Sequence, residues 1–471
     1  MFETATYPMK SEEEFATHFG GELIRPGDAG FDQARRIWNG MIDRRPALVA
    51  RCHSVEDVVV AVNFARENDL LLSVRGGGHN VAGHATNDGG LVIDLSPLNE
   101  ITVDAERRLV SAGGGATIAQ LDAETQRHGL AVPMGVVSAT GIAGLTLGGG
   151  YGWLRNKYGL SADNLVAATV VTAAGQVVRA GEEENFDLLW GLRGGGGNFG
   201  IVTEFVYRAH PIGPEVAVSF PFHNAEGERM AKAIRFFRDF CATAPDEISA
   251  LLSLGIIPAD EHLFPAEIHG RRFAVMAAVY AGPATAGQAA LQPLISFDGQ
   301  APLVDFSGVM PYAEVQTMFD ADYPDGMRYY WKSTNLARLD EPAIERIVAH
   351  TRRQPSPLST VDLWHVGGAI RRVTAEESAF HGRHVPFLLN PEANWVEPAD
   401  DEANVAWVRS FLAGMEPFSD GSRYLNFAGF QEEGNEMMQG AFGPQYQKLA
   451  ALKRKYDPTN LFRLNQNVRP A

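Results

Sequence analysis

At 471 residues the chain exceeds one ordinary hydrophobic core, since domains run to roughly 100–200 residues, and two or three units are expected. Its 57 acidic and 40 basic side chains leave a formal charge of −17, with 45% of residues hydrophobic and 21% charged. That balance describes a globular chain whose acidic surface repels phosphate backbones and anionic lipid, which argues against nucleic-acid and membrane partners.

Taken in order, the chain alternates strand and helix signals from about Arg45. An apolar strand over 47–50 precedes Ser54 and Asp57, an S-x-x-D capping box that opens a helix to about Asn68. A strand over 70–74 runs into glycines, and short strands follow over 91–95, 101–103 and 109–112. Thr117 and Gln120 form a second capping box, for a helix that stops at Gly129. Strands over 165–172 and 176–179 flank Ala174-Gly175 as a hairpin, and a short helix over 186–192 leads to a strand over 201–207.

Pro211, Gly213 and Pro214 punctuate a boundary, giving a first domain over 1–212. From there to about 420, helices over 230–242, 343–353 and 402–412 alternate with period-2 runs over 273–280 and 361–366. This is the pattern of an α+β domain whose antiparallel sheet carries helices on one face. The last segment, 421–471, with a helix over 446–456 stopped by Pro458, reads as a return to the first domain.

Cys52 and Cys241 are the only cysteines, so no disulfide framework or zinc motif is expected, no metal is assigned, and a reducing cytoplasm is the expected setting. Met1 to Ala5 and the acidic Glu12-Glu13-Glu14 lack the basic start and apolar stretch of a secretory leader. No apolar run approaches the roughly 18 residues of a membrane helix.

Glycine is the unusual entry in the composition. Its 49 copies fall in runs at 76–78, 113–115, 148–150 and 194–197. One run is a turn, but several together suit backbone that lies against a flat ring or a pyrophosphate, where a Cβ cannot fit and successive N–H groups bind an anion. Gly195, Gly197 and Gly200 satisfy a formal GxGxxG, yet this one follows a helix and opens a strand, the reverse of the dinucleotide fingerprint. P-loop, GxSxG and HExxH patterns are absent. What remains is Ser73-Val74-Arg75-Gly76-Gly77-Gly78-His79-Asn80, a strand that ends in three residues without side chains between a guanidinium and an imidazole, and the glycine-rich string over 140–152.

With Gly83, the 88–95 segment, Lys157-Tyr158-Gly159-Leu160, Arg193 to Gly200 and the C-terminal Tyr456-Asp457-Pro458-Thr459-Asn460-Leu461-Phe462, these motifs resemble one group of flavoproteins. The group is the vanillyl-alcohol-oxidase superfamily with a PCMH-type FAD domain, in its berberine-bridge-enzyme-like branch and nearest the bacterial 6-hydroxy-D-nicotine oxidase type. The resemblance spans the whole chain. It implies a two-subdomain FAD-binding domain plus the α+β substrate domain, with FAD between them.

The resemblance further implies that the pyrophosphate lies on Arg75, Gly76, Gly77, Gly78 and His79, with Asn80, Gly83 and His84 beside it. The adenine half would follow Thr140, Gly141, Gly144, Gly149, Gly150, Tyr151 and Gly152, then Asp163 and Asn164, and Val202 and Asn465 complete the contacts. His79 matches the histidine joined to the flavin 8α-methyl carbon, which requires a neutral imidazole. Val137 stands where some relatives carry a second, cysteinyl link, so a single covalent link is expected. Thr140 lies near the face where relatives admit or exclude oxygen. Gln445 replaces a usual asparagine, and Gly113 to Gly115 attach to no ligand and are read as a turn.

On the substrate side, Tyr424 and Asn426 match a Tyr-x-Asn segment, and Lys332 and His365 are further candidates on the stretches Tyr330-Trp331-Lys332 and Leu363-Trp364-His365. Strand alternation sends one of each neighbouring pair to the pocket, and Trp331 and Trp364 also suit a core. The expected reaction takes a hydride from a C–H beside an alcohol or amine, with a base accepting the O–H or N–H proton and oxygen becoming peroxide. A dehydrogenase or oxidative cyclase with another acceptor, and a flavin carrier, are the alternatives. The donor (amine, sugar or polyketide-like alcohol) stays open, as does the choice between monomer and homodimer.

Overall fold

The computed structural model describes residues 11–430 and 435–471; the Met1 to Ala5 stretch read above lies outside them. Near the N-terminus, Glu22–Ile24, Leu48–Arg51, Leu91–Asp94 and Leu72–Arg75 form one sheet in that spatial order, the last three strands parallel. The helix Val55–Glu67 crosses over this sheet. Ser54 Oγ accepts from Asp57 N at 3.1 Å while Asp57 Oδ2 accepts from Ser54 N at 3.1 Å, so the predicted capping box is formed. Val58, Ala61, Val62 and Ala65 share the buried face of the helix and pack on Leu72, Leu91 and Ile93.

A second, antiparallel sheet runs Ile101–Asp104, Leu109–Gly113, Ile201–Arg208, Leu165–Val171, Val177–Gly181. Its helix Ile118–Gln126 begins at the Thr117 capping box but stops short of Gly129, which takes the left-handed turn at φ 65. The C-terminal helix contributes to the core of this sheet. Leu449, Leu452 and Tyr456 of the helix Tyr446–Tyr456 pack with Trp190 and Phe199. From the same helix, fully buried Lys453 donates to Asp457 Oδ2 at 2.7 Å and to the carbonyls of Asn198 at 2.8 Å and Phe462 at 2.9 Å. Each of the three ammonium protons therefore has an acceptor, the condition under which a buried lysine is tolerated.

The third sheet has ten strands, all of its pairs antiparallel. At its centre Ile248–Ile256, Thr360–His365 and Phe387–Trp395 lie side by side, with Arg328–Trp331 at one margin. Tyr330, Ala393, Leu389, Leu363 and Leu252 point to the helices Arg229–Cys241, Glu341–Thr351 and Asp401–Met415, whose apolar faces complete that layer. Register then fixes the opposite face. Trp331 pairs with Glu392, Asp362 with Asn390 and Trp364 with Leu388, so Trp331, Glu392, Asp362 and Trp364 all project away from the helices. Among the described residues no helix is long and apolar enough to cross a membrane.

Candidate active site

A cavity of about 270 Å³ lies between the face of the large sheet turned away from its helices and the glycine-rich loops. Its loop wall is almost bare backbone. A Cβ on Gly77 would sit 2.4 Å from Gly141 N, and one on Gly141 would sit 2.3 Å from Gly77 N, so the two glycine strings touch main chain to main chain. Such contact leaves no room for any other residue. The run at 113–115 serves the same end from behind. It does turn, but its glycines are required because a Cβ on Gly114 would meet Val202 O at 2.3 Å and one on Gly115 would meet Leu95 O at 1.8 Å.

His79 and His84 line this wall, and burial lowers both imidazoles to about 4, with Arg44 adding to the effect at His84. Both rings are therefore neutral near pH 7. His79 Nε2 is buried without a hydrogen-bond partner, an unspent nitrogen at the cavity.

The sheet wall is made of side chains. Trp331, Trp364 and Glu392 line it, joined by Tyr323 and Phe427. Tyr323 Oη donates to Glu392 Oε2 at 2.7 Å, and Asn390 Nδ2 donates to Glu392 Oε1. Burial, reinforced by the neighbouring Asp362 carboxyl, pushes Glu392 well above the usual carboxylate range. Burial likewise pushes Asp362 up to about 7, and its Oδ1 has no partner. No lysine or arginine lines the cavity among the described residues.

Between the walls stands Tyr424, 2% exposed. Its Oη accepts from Asn426 Nδ2 at 2.9 Å, Gly150 N at 3.1 Å and Tyr151 N at 3.3 Å. Burial pushes the phenol up to about 12, against the opposing pull of those three donors, so it keeps its proton at neutral pH. The same side chain lines the cavity, so its hydroxyl is fixed at the cavity's edge.

Residues 46–181 match the model of an FAD-binding domain, and residues 423–469 match that of berberine and berberine-like enzymes. The (R)-6-hydroxynicotine oxidase of Paenarthrobacter nicotinovorans is 32% identical over 467 residues, covering 96% of this chain and 97% of its own. The chain belongs to the berberine-bridge-enzyme-like FAD-linked oxidoreductases. A crystal structure of 6-hydroxy-D-nicotine oxidase from Arthrobacter nicotinovorans superposes with a TM-score of 0.86 at 30% identity, over 96% of this chain and 98% of that one. Glucooligosaccharide oxidase of Sarocladium strictum is 27% identical over 95% of this chain and 92% of its own. A xylooligosaccharide oxidase from Myceliophthora thermophila at 22% identity, TM-score 0.85, shares the fold over 98% of this chain and 99% of its own.

As a berberine-bridge-enzyme-like protein the chain takes FAD, and its residues fit that cofactor: a bare cradle of paired glycines and an imidazole nitrogen without a partner. Of the residues expected at the cofactor, Gly76, Gly77, Gly78, His79, Asn80, His84, Thr140, Gly141, Gly144, Tyr151, Val202 and Asn465 line the cavity, as do Tyr424 and Asn426.

Several others stand outside the wall, each for a visible reason. Arg75 turns away to donate to the buried carboxylate Asp94 at 2.5 Å and to the carbonyl of Ala34, so it braces the loop. Gly83 is packed on Ile42 and Gly152 on Met134 O. Gly149 lies under Phe380, and Gly150 against Ser161. Asp163 is spent on Arg383 at 2.6 Å, and Asn164 on His210 and the carbonyls of Tyr158 and Leu160.

Strand parity corrects the substrate side. His365 faces away from the cavity: its Nδ1 is bonded to Asn156 Nδ2 at 2.9 Å, its ring neighbours Phe387, and burial beside Arg155 lowers it to about 3. Lys332 follows Trp331 and is absent from the cavity wall, which Trp331 occupies. Sequence reasoning missed Glu392, Tyr323 and Asp362. Glu392 had no local signal, because it sits on a strand containing Asn390, Pro391 and Asn394, residues depleted from sheets.

Proposed function

We propose that this protein is an FAD-dependent oxidase that removes a hydride from a C–H beside an amine or alcohol of a small, largely apolar donor, with oxygen as the final acceptor. The observation that carries the reading is Glu392, a carboxyl on the cavity wall held by the Tyr323 hydroxyl and framed by Trp331 and Trp364. Bound FAD supplies the electron sink that no side chain offers. Glu392 takes the proton of the donor's O–H or N–H, burial having raised its affinity for protons above that of a free carboxylate. Tyr424, its oxygen fixed by three donors, directs its own O–H at the donor heteroatom and holds the reacting carbon in place. Trp331, Trp364 and Phe427 exclude water and favour a flat or apolar donor.

His79 forms the single covalent link to the cofactor, a role its neutral ring and unpartnered nitrogen support. Val137 lines the cavity where a second, cysteinyl link would form, and both cysteines are buried and unpaired elsewhere.

An anaerobic screen of amines and alcohols, read as bleaching of the flavin band, tests the hydride step, and admission of air tests the acceptor. Bleached protein that stays reduced in air for many minutes would make it a dehydrogenase. Failure of every donor class to bleach it would leave a flavin carrier.

A further inference from the structure

Trp38 lies in the N-terminal part of the chain, far in sequence from every motif above, yet it is 3% exposed and packed on His79. Its ring stacks on the imidazole with centroids 4.2 Å apart at 18°, and on Tyr329 at 3.7 Å and 13°. Two near-parallel contacts this close require opposite faces of the indole, so Trp38 is the middle layer of a three-ring stack. Its backing is fixed independently. Trp38 Nε1 donates to Tyr323 O at 2.9 Å, its backbone N to Gly78 O at 3.3 Å, and Asn39 Nδ2 bridges the carbonyls of Val81 at 2.7 Å and Tyr329 at 3.0 Å. Residues 38 and 39 therefore stitch the His79 loop to the strand Arg328–Trp331 of the substrate domain.

His79 Nε2 has no hydrogen-bond partner, and the indole lies flat against the imidazole, bracing the plane from which that nitrogen faces out. We infer that Trp38 is a positioning residue for covalent flavin attachment: it holds the His79 imidazole in the plane from which a ring nitrogen reaches the flavin 8α-methyl carbon. The inference rests on the His79 link proposed above. In that reaction a C–N bond forms and one methyl C–H bond breaks. The electron pair of that bond reduces the flavin ring, which also takes up the methyl proton and the imidazole N–H proton. Dioxygen then reoxidises the ring and leaves as hydrogen peroxide. A nucleophile that must meet a carbon at van der Waals distance loses rate steeply when its plane is free to turn.

The test compares wild type, Trp38→Phe, Trp38→Leu, Tyr329→Leu and His79→Ala, each as the full chain given FAD in air. Two readouts are taken over time: flavin bound to the native protein, and flavin retained after acid precipitation. Wild type and Trp38→Phe, which restores a flat ring, are expected to retain their flavin. Trp38→Leu is expected to bind flavin natively while its retained fraction grows at least about tenfold more slowly. Tyr329→Leu, which removes the backing of the indole and with it the hydroxyl's bond to Pro324 O, is expected to fall between, and it serves as the test should Trp38→Leu take up no flavin. Retention in Trp38→Leu, or failing that in Tyr329→Leu, at the wild-type rate overturns the inference. Release of flavin by wild type itself overturns the covalent link, and this inference with it, whereas retention lost in His79→Ala but kept in Trp38→Leu rejects Trp38 alone.

Discussion

The two walls of the cavity are built on opposite principles. The loop wall works by what it lacks: Gly77 and Gly141 bring main chain onto main chain, and the only imidazoles there are neutral. The sheet wall works by what it presents: Trp331, Trp364 and Glu392, side chains from three separate strands brought to one face by register. The first arrangement tolerates no added atom, and the second tolerates substitution but changes its chemistry.

That contrast can be broken by mutation, and the largest effect belongs to the loop wall. Gly77→Ala and Gly141→Ala each place a methyl within 2.4 Å of backbone, so purified protein should carry essentially no flavin, measured as the absorbance ratio of the flavin band to protein. Normal flavin content in either variant would remove the cradle from the account. Next comes the sheet wall's acid. Glu392→Gln should keep its flavin but slow anaerobic bleaching by about 10²–10⁴-fold, the usual loss on removing a general base. Wild type is expected to speed up as pH rises above the ordinary carboxylate range, and the remaining rate of the variant should lack that rise.

A third change tests the buried carboxyl behind that wall. In the folded protein Asp362 holds its proton up to about pH 7, against 3.8 for a free side chain. The folded state therefore binds the extra proton, and this contribution to stability is complete below about pH 4 and lost as pH rises through 7. Asp362→Asn should accordingly raise Tm relative to wild type at pH 8 and lose that advantage by pH 4. The smallest effect is expected at Lys332→Met, which should leave the bleaching rate within about twofold, as substitutions outside a reacting site do.

The same contrast decides what the sequence made legible. The loop wall is written in contiguous letters, Arg75 to Asn80 and 140–152, because a glycine cradle needs neighbouring residues to lose their side chains together. Even there, Arg75 reads as a ligand and proves to be a brace for Asp94, since sequence cannot tell a guanidinium that points forward from one that points back. The sheet wall is written across strands. Ile248–Ile256 is buried along nearly its whole length and shows no alternation, and Phe387–Trp395 carries Asn390, Pro391 and Glu392. With neither strand legible, register could not be assigned. Lys332 and His365 carry the more obvious chemistry, yet it is Trp331 and Trp364 that line the cavity, and at His365 a one-residue parity decides it.

Lys453 joins Asn198, just after the last glycine run, to Asp457 and Phe462 in its own C-terminal segment. On the ribosome Asn198 is made more than 250 residues before the lysine that holds it. The nucleotide half of the protein thus emerges first and is completed last, its core lacking Leu449, Leu452 and Tyr456 until translation has passed residue 456. The cofactor-binding core is therefore expected to close only once the C-terminal helix has been made.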